Sequence, residues 1–172
     1  MTVATSSRLQ QAQNVAAGVT DPEMPMLTLA DLGVLRSVGQ DSDGTIVVTI
    51  TPTYSGCPAM ATIRADLRHA LTRAGFDDID VRTALSPAWS SDWISPNGRR
   101  KLAQHGIAPP TAAPVHAAGP VPLTLSPRGQ VVRCPRCHSP HTQLTSEFGA
   151  TACKSLHRCQ SCSEPFERIK EI

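Results

Sequence analysis

What this 172-residue sequence has little of narrows its role first. Phe, Trp and Tyr together make up 3% of it, and its 16 Lys and Arg, set against 14 Asp and Glu, form no dense basic stripe. Clustered positive charge with interleaved aromatics is the footprint of nucleic-acid binding, so no nucleic-acid partner is expected. No run approaches the roughly 18 consecutive apolar residues of a membrane-spanning helix, and MTVATSSRLQQAQNVAAG lacks the charged start and apolar block of an export leader. The expectation is a soluble, cytoplasmic protein with no membrane partner. Glu-x-x-His repeats and a Gly-rich dinucleotide fingerprint are also missing. Without them the chain holds neither a di-iron oxygenase centre nor a dinucleotide-binding reductase site.

Cysteine, by contrast, occurs six times. A reducing compartment turns attention from disulfides to metal or redox chemistry. Cys134-Pro-Arg-Cys137 and Cys159-Gln-Ser-Cys162 each space two sulfurs for one metal ion, and two such knuckles complete a tetrahedral shell. The spacing predicts a structural Zn²⁺ on Cys134, Cys137, Cys159 and Cys162, in a ribbon whose folding the metal drives. A rubredoxin-like iron site would use the same four ligands. The string Cys134 to His138 also spells the C-x-x-C-H haem pattern, which the second knuckle and the missing leader oppose. Four thiolates and one Zn²⁺ would bring the formal charge of +2 close to zero. Cys153, His138, His141 and His157 are spare donors, read as surface or packing residues, with the role of Cys153 left open.

Composition divides the chain into residues 1–106, a Pro/Ala-rich stretch 107–130 read as a semi-rigid linker, and the cysteine-bearing 131–172. In the first zone Ser6 or Ser7 can cap a helix with Leu9, Ala12, Val15, Ala16 and Val19 at helical spacing, stopped by DPEMP. Residues 33–52 read as two strands around an Asp-Gly turn. Residues 58–74 form the clearest helix, with Met60, Ile63, Leu67 and Leu71 on one face and Gly75 as its stop. IDVRTAL is a third strand, and 95–105 a short helix opened by Ser95 and Pro96. The fold class is α+β, a small sheet covered by helices and followed by the zinc ribbon.

Cys57 stands alone. Pro58 behind it suggests a helix start, which would put Cys57 at or beside the N-cap, where a thiolate is stabilised. Thr51, Thr53 and Ser55 supply hydroxyls just upstream. The competing reading is a small buried hydrophobe. Asp21 and Glu23 in DPEMP are either a charged turn or part of a site, and Trp89 and Trp93 either close the core or face a partner.

DPEMPMLTLADLGVLRSV, TPTYSGCPAM, SPAWSSDWISPNGRRKL, SEFGATACK and the two knuckles together resemble the D subunits of bacterial ring-1,2-phenylacetyl-CoA epoxidases. The first zone is similar to iron-sulfur assembly domains, whose pattern pairs a DPE element with a Thr-rich approach to Cys-Pro. The resemblance implies an accessory role in phenylacetate catabolism, not an enzyme. Cys57, with Asp21, Glu23, Thr51 and Thr53 around it, would hold iron or a cluster transiently during maturation of the reductase subunit. A stable, purely structural subunit of the oxygenase complex is the alternative. Partners would be the reductase and the other epoxidase subunits, and a homodimer is compatible with either role.

Overall fold

The computed structural model describes residues 2–113 and 131–172. They fall into two compact units, Met1–Lys101 and Leu102–Ile172. Most of the Pro/Ala stretch, 114–130, lies outside the described residues.

The first unit opens with α1 (Thr2–Ala17), which runs through Ser6 and Ser7, so neither serine is its cap. No Gly or Pro interrupts residues 2–17, and the helix extends past the polar pair for that reason. Ala12, Ala16 and Val19 are buried, as their spacing requires. Strands β1 (Leu35–Gln40) and β2 (Ile46–Ile50) form the antiparallel hairpin around Asp43 and Gly44. Ile46, Val48 and Ile50 alternate into the core. Next come α2 (Met60–Arg73) and β3 (Ile79–Thr83), and β3 pairs parallel with β2 to give the order β1-β2-β3.

Ile63, Leu67 and Leu71 form the buried stripe of α2. Its end is a Schellman motif: Phe76 N–H reaches Leu71 O and Gly75 N–H reaches Thr72 O, with Gly75 at φ +89°. Its start differs from the sequence expectation. The N-cap is Ala59 and the first helical residue Met60. Cys57 lies in a preceding turn, closed by Met60 N–H on Cys57 O at 3.4 Å. The turn occupies the residues that the sequence assigned to the first turn of the helix.

A buried carboxylate organises the rest of this unit. Asp31 accepts from Asn97 Nδ2 (2.8 Å), Ser95 Oγ (3.2 Å), Lys101 Nζ (2.6 Å) and Thr28 N–H (3.3 Å). Its carbonyl takes Ser95 N–H at 2.9 Å. These contacts clamp residues 28–33 to the start of α3 (Pro96–Gln104). The approach is close: a Cβ on Gly98 would lie 2.6 Å from Asp31 O, and one on Gly33 (φ +69°) 2.5 Å from Trp93 Cβ. Trp89 is buried and donates Nε1–H to Leu32 O at 2.9 Å. Trp93 is half-buried with the Arg36 guanidinium 3.5 Å above its ring. Trp89 therefore closes the core, and Trp93 spends one face on a cation–π contact.

The second unit is a four-stranded sheet in the order β4-β7-β6-β5. The strands are β4 (Ile107–Ala108), β5 (Thr142–Ser146), β6 (Lys154–Cys159) and β7 (Pro165–Ile169). Ile107 and Ala108, which composition assigned to the linker, instead pair parallel with Glu167 and Arg168. A two-residue strand exists only through a partner distant in sequence, which composition does not register. One apolar cluster of this unit gathers Ala108, Val132, Cys134, Cys159 and Phe166, and Ile107, Cys153 and Ile169 are buried as well. No helix among the described residues is long and apolar enough to cross a membrane.

The buried carboxylate makes stability depend on acid. Burial raises the pKa of Asp31, but Lys101, Asn97, the Thr28 N–H and Ser95 outweigh it and hold the group down to about 2, from 3.8. The unfolded chain thus takes up the proton first as pH falls. Asp31 contributes about 2 kcal/mol above pH ~4, lost progressively as pH drops towards ~2. Urea denaturation between pH 5 and 2 should show this acid loss in the wild type and a flatter profile in Asp31→Asn. Gly98→Ala should lower stability by about 1–3 kcal/mol, measured as a shifted denaturation midpoint, because backbone and not a flexible side chain blocks the new methyl.

Candidate metal centre and the Cys57 loop

The two knuckles are built alike. Each places the residue after its second cysteine in the left-handed region, His138 at φ 60° and Ser163 at φ 61°. Each also returns a hydrogen bond to its first cysteine, Cys134 N–H to Ser139 O (3.0 Å) and Cys159 N–H to Glu164 O (2.9 Å). Ser139 Oγ and Ser161 Oγ meet at 2.7 Å between them.

The four Sγ atoms lie within 4.8 Å of one another. Cys134 and Cys162 are 3.7 Å apart, and Cys137 and Cys159 3.5 Å. A tetrahedral ion with Zn–S bonds near 2.3 Å sets sulfurs about 3.8 Å apart, so the donor set fits Zn²⁺. The electrostatics agree. N–H groups of Cys162 and Ser161 hold the Cys159 thiol down to about 6. Cys162 receives an N–H from Glu164, yet desolvation and the surrounding sulfurs push it up to about 12. Thiolates this close repel one another, and a divalent cation removes that limit. Cys134 and Cys159 are buried, while Cys137 and Cys162 are exposed. With four protein ligands the shell is closed, which suits a structural role.

The spare donors stay out of the cluster. His138 and His141 are exposed. His157 is buried and stacked on Phe166, with Ser155 Oγ 3.0 Å from Nε2, and burial lowers its pKa. Cys153 is buried beside Thr151 Oγ1 at 3.1 Å and precedes β6, whereas Cys159 ends that strand. Six residues of strand, roughly 20 Å, separate the two sulfurs along the chain.

In the first unit, the loop carrying Thr51, Thr53 and Cys57 leaves the carboxyl end of β2 and enters α2. Thr51 is buried, Thr53 and Cys57 are half-buried, and Cys57 N–H donates to Tyr54 O at 3.1 Å. Asp21 is buried, and its Oδ1 accepts Glu23 N–H and Met24 N–H, both at 2.9 Å. One oxygen of that carboxylate therefore shapes the turn. Glu23 is exposed. Backbone hydrogen bonds tie both loops to the segment 27–34: Asp21 N–H to Leu27 O and Thr51 N–H to Val34 O, each 2.9 Å. The sequence reading overlooked Asp31, which anchors that segment. An acidic residue inside the apolar run LTLADLGVL was the available signal, because a carboxylate buried there needs partners.

Fold and site define a two-module protein, an α+β domain carrying a half-buried cysteine loop and a four-thiolate ribbon. Residues 9–85 match the family described as iron-sulfur cluster assembly protein, and 118–170 the PaaD zinc beta ribbon domain. The chain is 48% identical over 154 residues to the putative D subunit of the 1,2-phenylacetyl-CoA epoxidase of Escherichia coli, covering 90% of this chain and 87% of that protein. It belongs to this family of epoxidase D subunits. A further relative is the Fe-S protein maturation auxiliary factor of Porphyromonas gingivalis, 32% identical over 85 residues, 49% of this chain and 80% of that protein. The solved DUF59 domain of unknown function from Bacillus anthracis shares the fold, with TM-score 0.54 and 24% identity over 59% of this chain and 97% of that one.

Metal analysis of the purified protein should return about one zinc per chain. Cys134→Ser should lose that zinc and the amide protection of β5, β6 and β7, and leave β1, β2 and β3 protected. Metal-free wild-type protein with an ordered ribbon would refute the assignment.

Proposed function

We propose that the protein is a non-catalytic accessory factor of a phenylacetyl-CoA epoxidase, acting in the cytoplasm to help its reductase subunit acquire an iron-sulfur cluster. The relatives are named as a subunit and as maturation factors, which supports an assembly role over catalysis. The observation that carries the reading is the position of Cys57. It is half-exposed in a loop between β2 and α2, inside the stretch that matches iron-sulfur assembly proteins.

The cluster is the cargo. Cys57 ligates it transiently as a thiolate, and thiolates of the client displace Cys57 by ligand exchange, with no redox change required. Thr51, Thr53, Asp21 and Glu23 frame the loop. Zinc on Cys134, Cys137, Cys159 and Cys162 stiffens a docking module for the other epoxidase subunits.

Co-expression with the reductase tests this. Cys57→Ala should leave a folded, zinc-replete protein whose partner reductase has lost most of its visible cluster absorbance. Full cluster occupancy and undiminished epoxidation with that variant would instead make the chain a structural subunit.

A further inference from the structure

Of the six cysteines, two are exposed, and both belong to the metal shell: Cys137 and Cys162. Cys57 is half-buried, while Cys134, Cys153 and Cys159 are buried. Each knuckle thus turns its first sulfur into the sheet and its second to solvent. On the inner side, Cys134 and Cys159 pack with Ala108, Val132 and Phe166. Backbone N–H groups of Cys162 and Ser161 also hold the Cys159 sulfur, and such donors draw charge from a thiolate and blunt its attack.

The thiolate, not the thiol, reacts with oxidants, and susceptibility follows thiolate character and exposure together. A free cysteine in water is largely protonated at neutral pH, whereas a metal keeps its sulfur ligands deprotonated. With Zn²⁺ bound, Cys137 and Cys162 are therefore the sulfurs of this chain that meet both conditions. Each also faces a buried sulfur of the other knuckle, Cys162 that of Cys134 at 3.7 Å and Cys137 that of Cys159 at 3.5 Å. A neighbouring thiolate at that range is placed to trap an oxidised sulfur as a disulfide.

We propose that Cys137 and Cys162 form an oxidation site for peroxides, through which the ribbon opens its metal shell. This rests on Zn²⁺ being held by the four sulfurs. An exposed thiolate attacks one oxygen of hydrogen peroxide, the O–O bond breaks, hydroxide leaves and a sulfenic acid forms. The facing thiolate of the other knuckle then attacks that sulfur, the S–O bond breaks, a second hydroxide leaves and a disulfide joins the knuckles. Two sulfurs have given up two electrons to one peroxide. The shell is left with two thiolates and releases the ion, and the order that metal binding gave the ribbon goes with it. A thiol reductant returns both thiolates, so the ribbon's docking role is lost under oxidising conditions and recovered afterwards.

Full-length, zinc-loaded protein is treated with hydrogen peroxide while a chromogenic chelator reads free zinc, and a sulfenic-acid trap with mass spectrometry locates the oxidised sulfurs. Early in the reaction, adducts on Cys137 and Cys162 should outnumber those on Cys134 and Cys159 about ten-fold. Release should reach about one zinc per chain as a disulfide forms between the knuckles, with the amide protection of β5, β6 and β7 falling in step. Reductant and added zinc should restore the protection. Cys57→Ser with Cys153→Ala should release zinc at the wild-type rate, and Cys57→Ser alone carries the comparison if the double variant does not fold. Zinc retained through exhaustive peroxide treatment, release that requires Cys57 or Cys153, or early adducts confined to Cys134 and Cys159 overturns the proposal and leaves the structural zinc in place. Protein that purifies with an ordered ribbon and no zinc would remove the metal reading and this inference with it.

Discussion

Asp31 gathers Lys101, Asn97, Ser95 and the Thr28 N–H around one buried carboxylate, and the first unit depends on that cluster. A carboxylate in that position would be intolerable unpaired, and its stable ionised state requires donors from both the 28–33 segment and α3. Because the donors come from two places, the interaction fixes their separation. Gly33 and Gly98 permit that separation, since a side chain at either would meet backbone or Trp93. The segment held this way also supplies the carbonyls of Leu27 and Val34, to which the Asp21 and Thr51 loops are tied. The segment that anchors the proposed cluster site is thus held by the Asp31 cluster, which contains none of the proposed ligands.

The ribbon meets the opposite problem. One of its apolar clusters, Ala108, Val132, Cys134, Cys159 and Phe166, is built partly from sulfur donors, so a bound metal would add directly to the order of the sheet. The four sulfurs would repel one another once ionised, and a divalent ion held by all of them would cross-link the two knuckles. An ion ligated by all four sulfurs would have no open position, which suits a structural role. The proposed cargo site calls for the reverse, a sulfur within reach of a client, and Cys57 is half-exposed on its loop. The four-cysteine cluster and Cys57 lie on different elements, the knuckles of the ribbon and the loop between β2 and α2.

Much of this was legible from residue order alone. Helical spacing located α1 and α2, and the Asp-Gly turn located the β1–β2 hairpin, because each signal is local. The paired knuckles announced a four-sulfur site for the same reason. The start of α2 was misread, since Cys-Pro suits a helix entry and only the backbone shows a turn inserted before Met60. β4 was absorbed into the linker because two residues carry no periodicity. Trp89 and Trp93 could not be separated by composition, and only the Leu32 carbonyl and the Arg36 guanidinium distinguish them.

The sequence by itself determined the chemistry of the ribbon, because metal-ligand spacing is a covalent property of the chain and survives without knowledge of the fold. It also determined the α+β class, through the periods of its apolar residues. Tertiary structure decided which residues act together over distance. It joined Asp31 to α3 and kept Cys153 and three histidines out of the metal shell. Such partnerships depend on how packed elements converge, and segments far apart in sequence hold no local record of it.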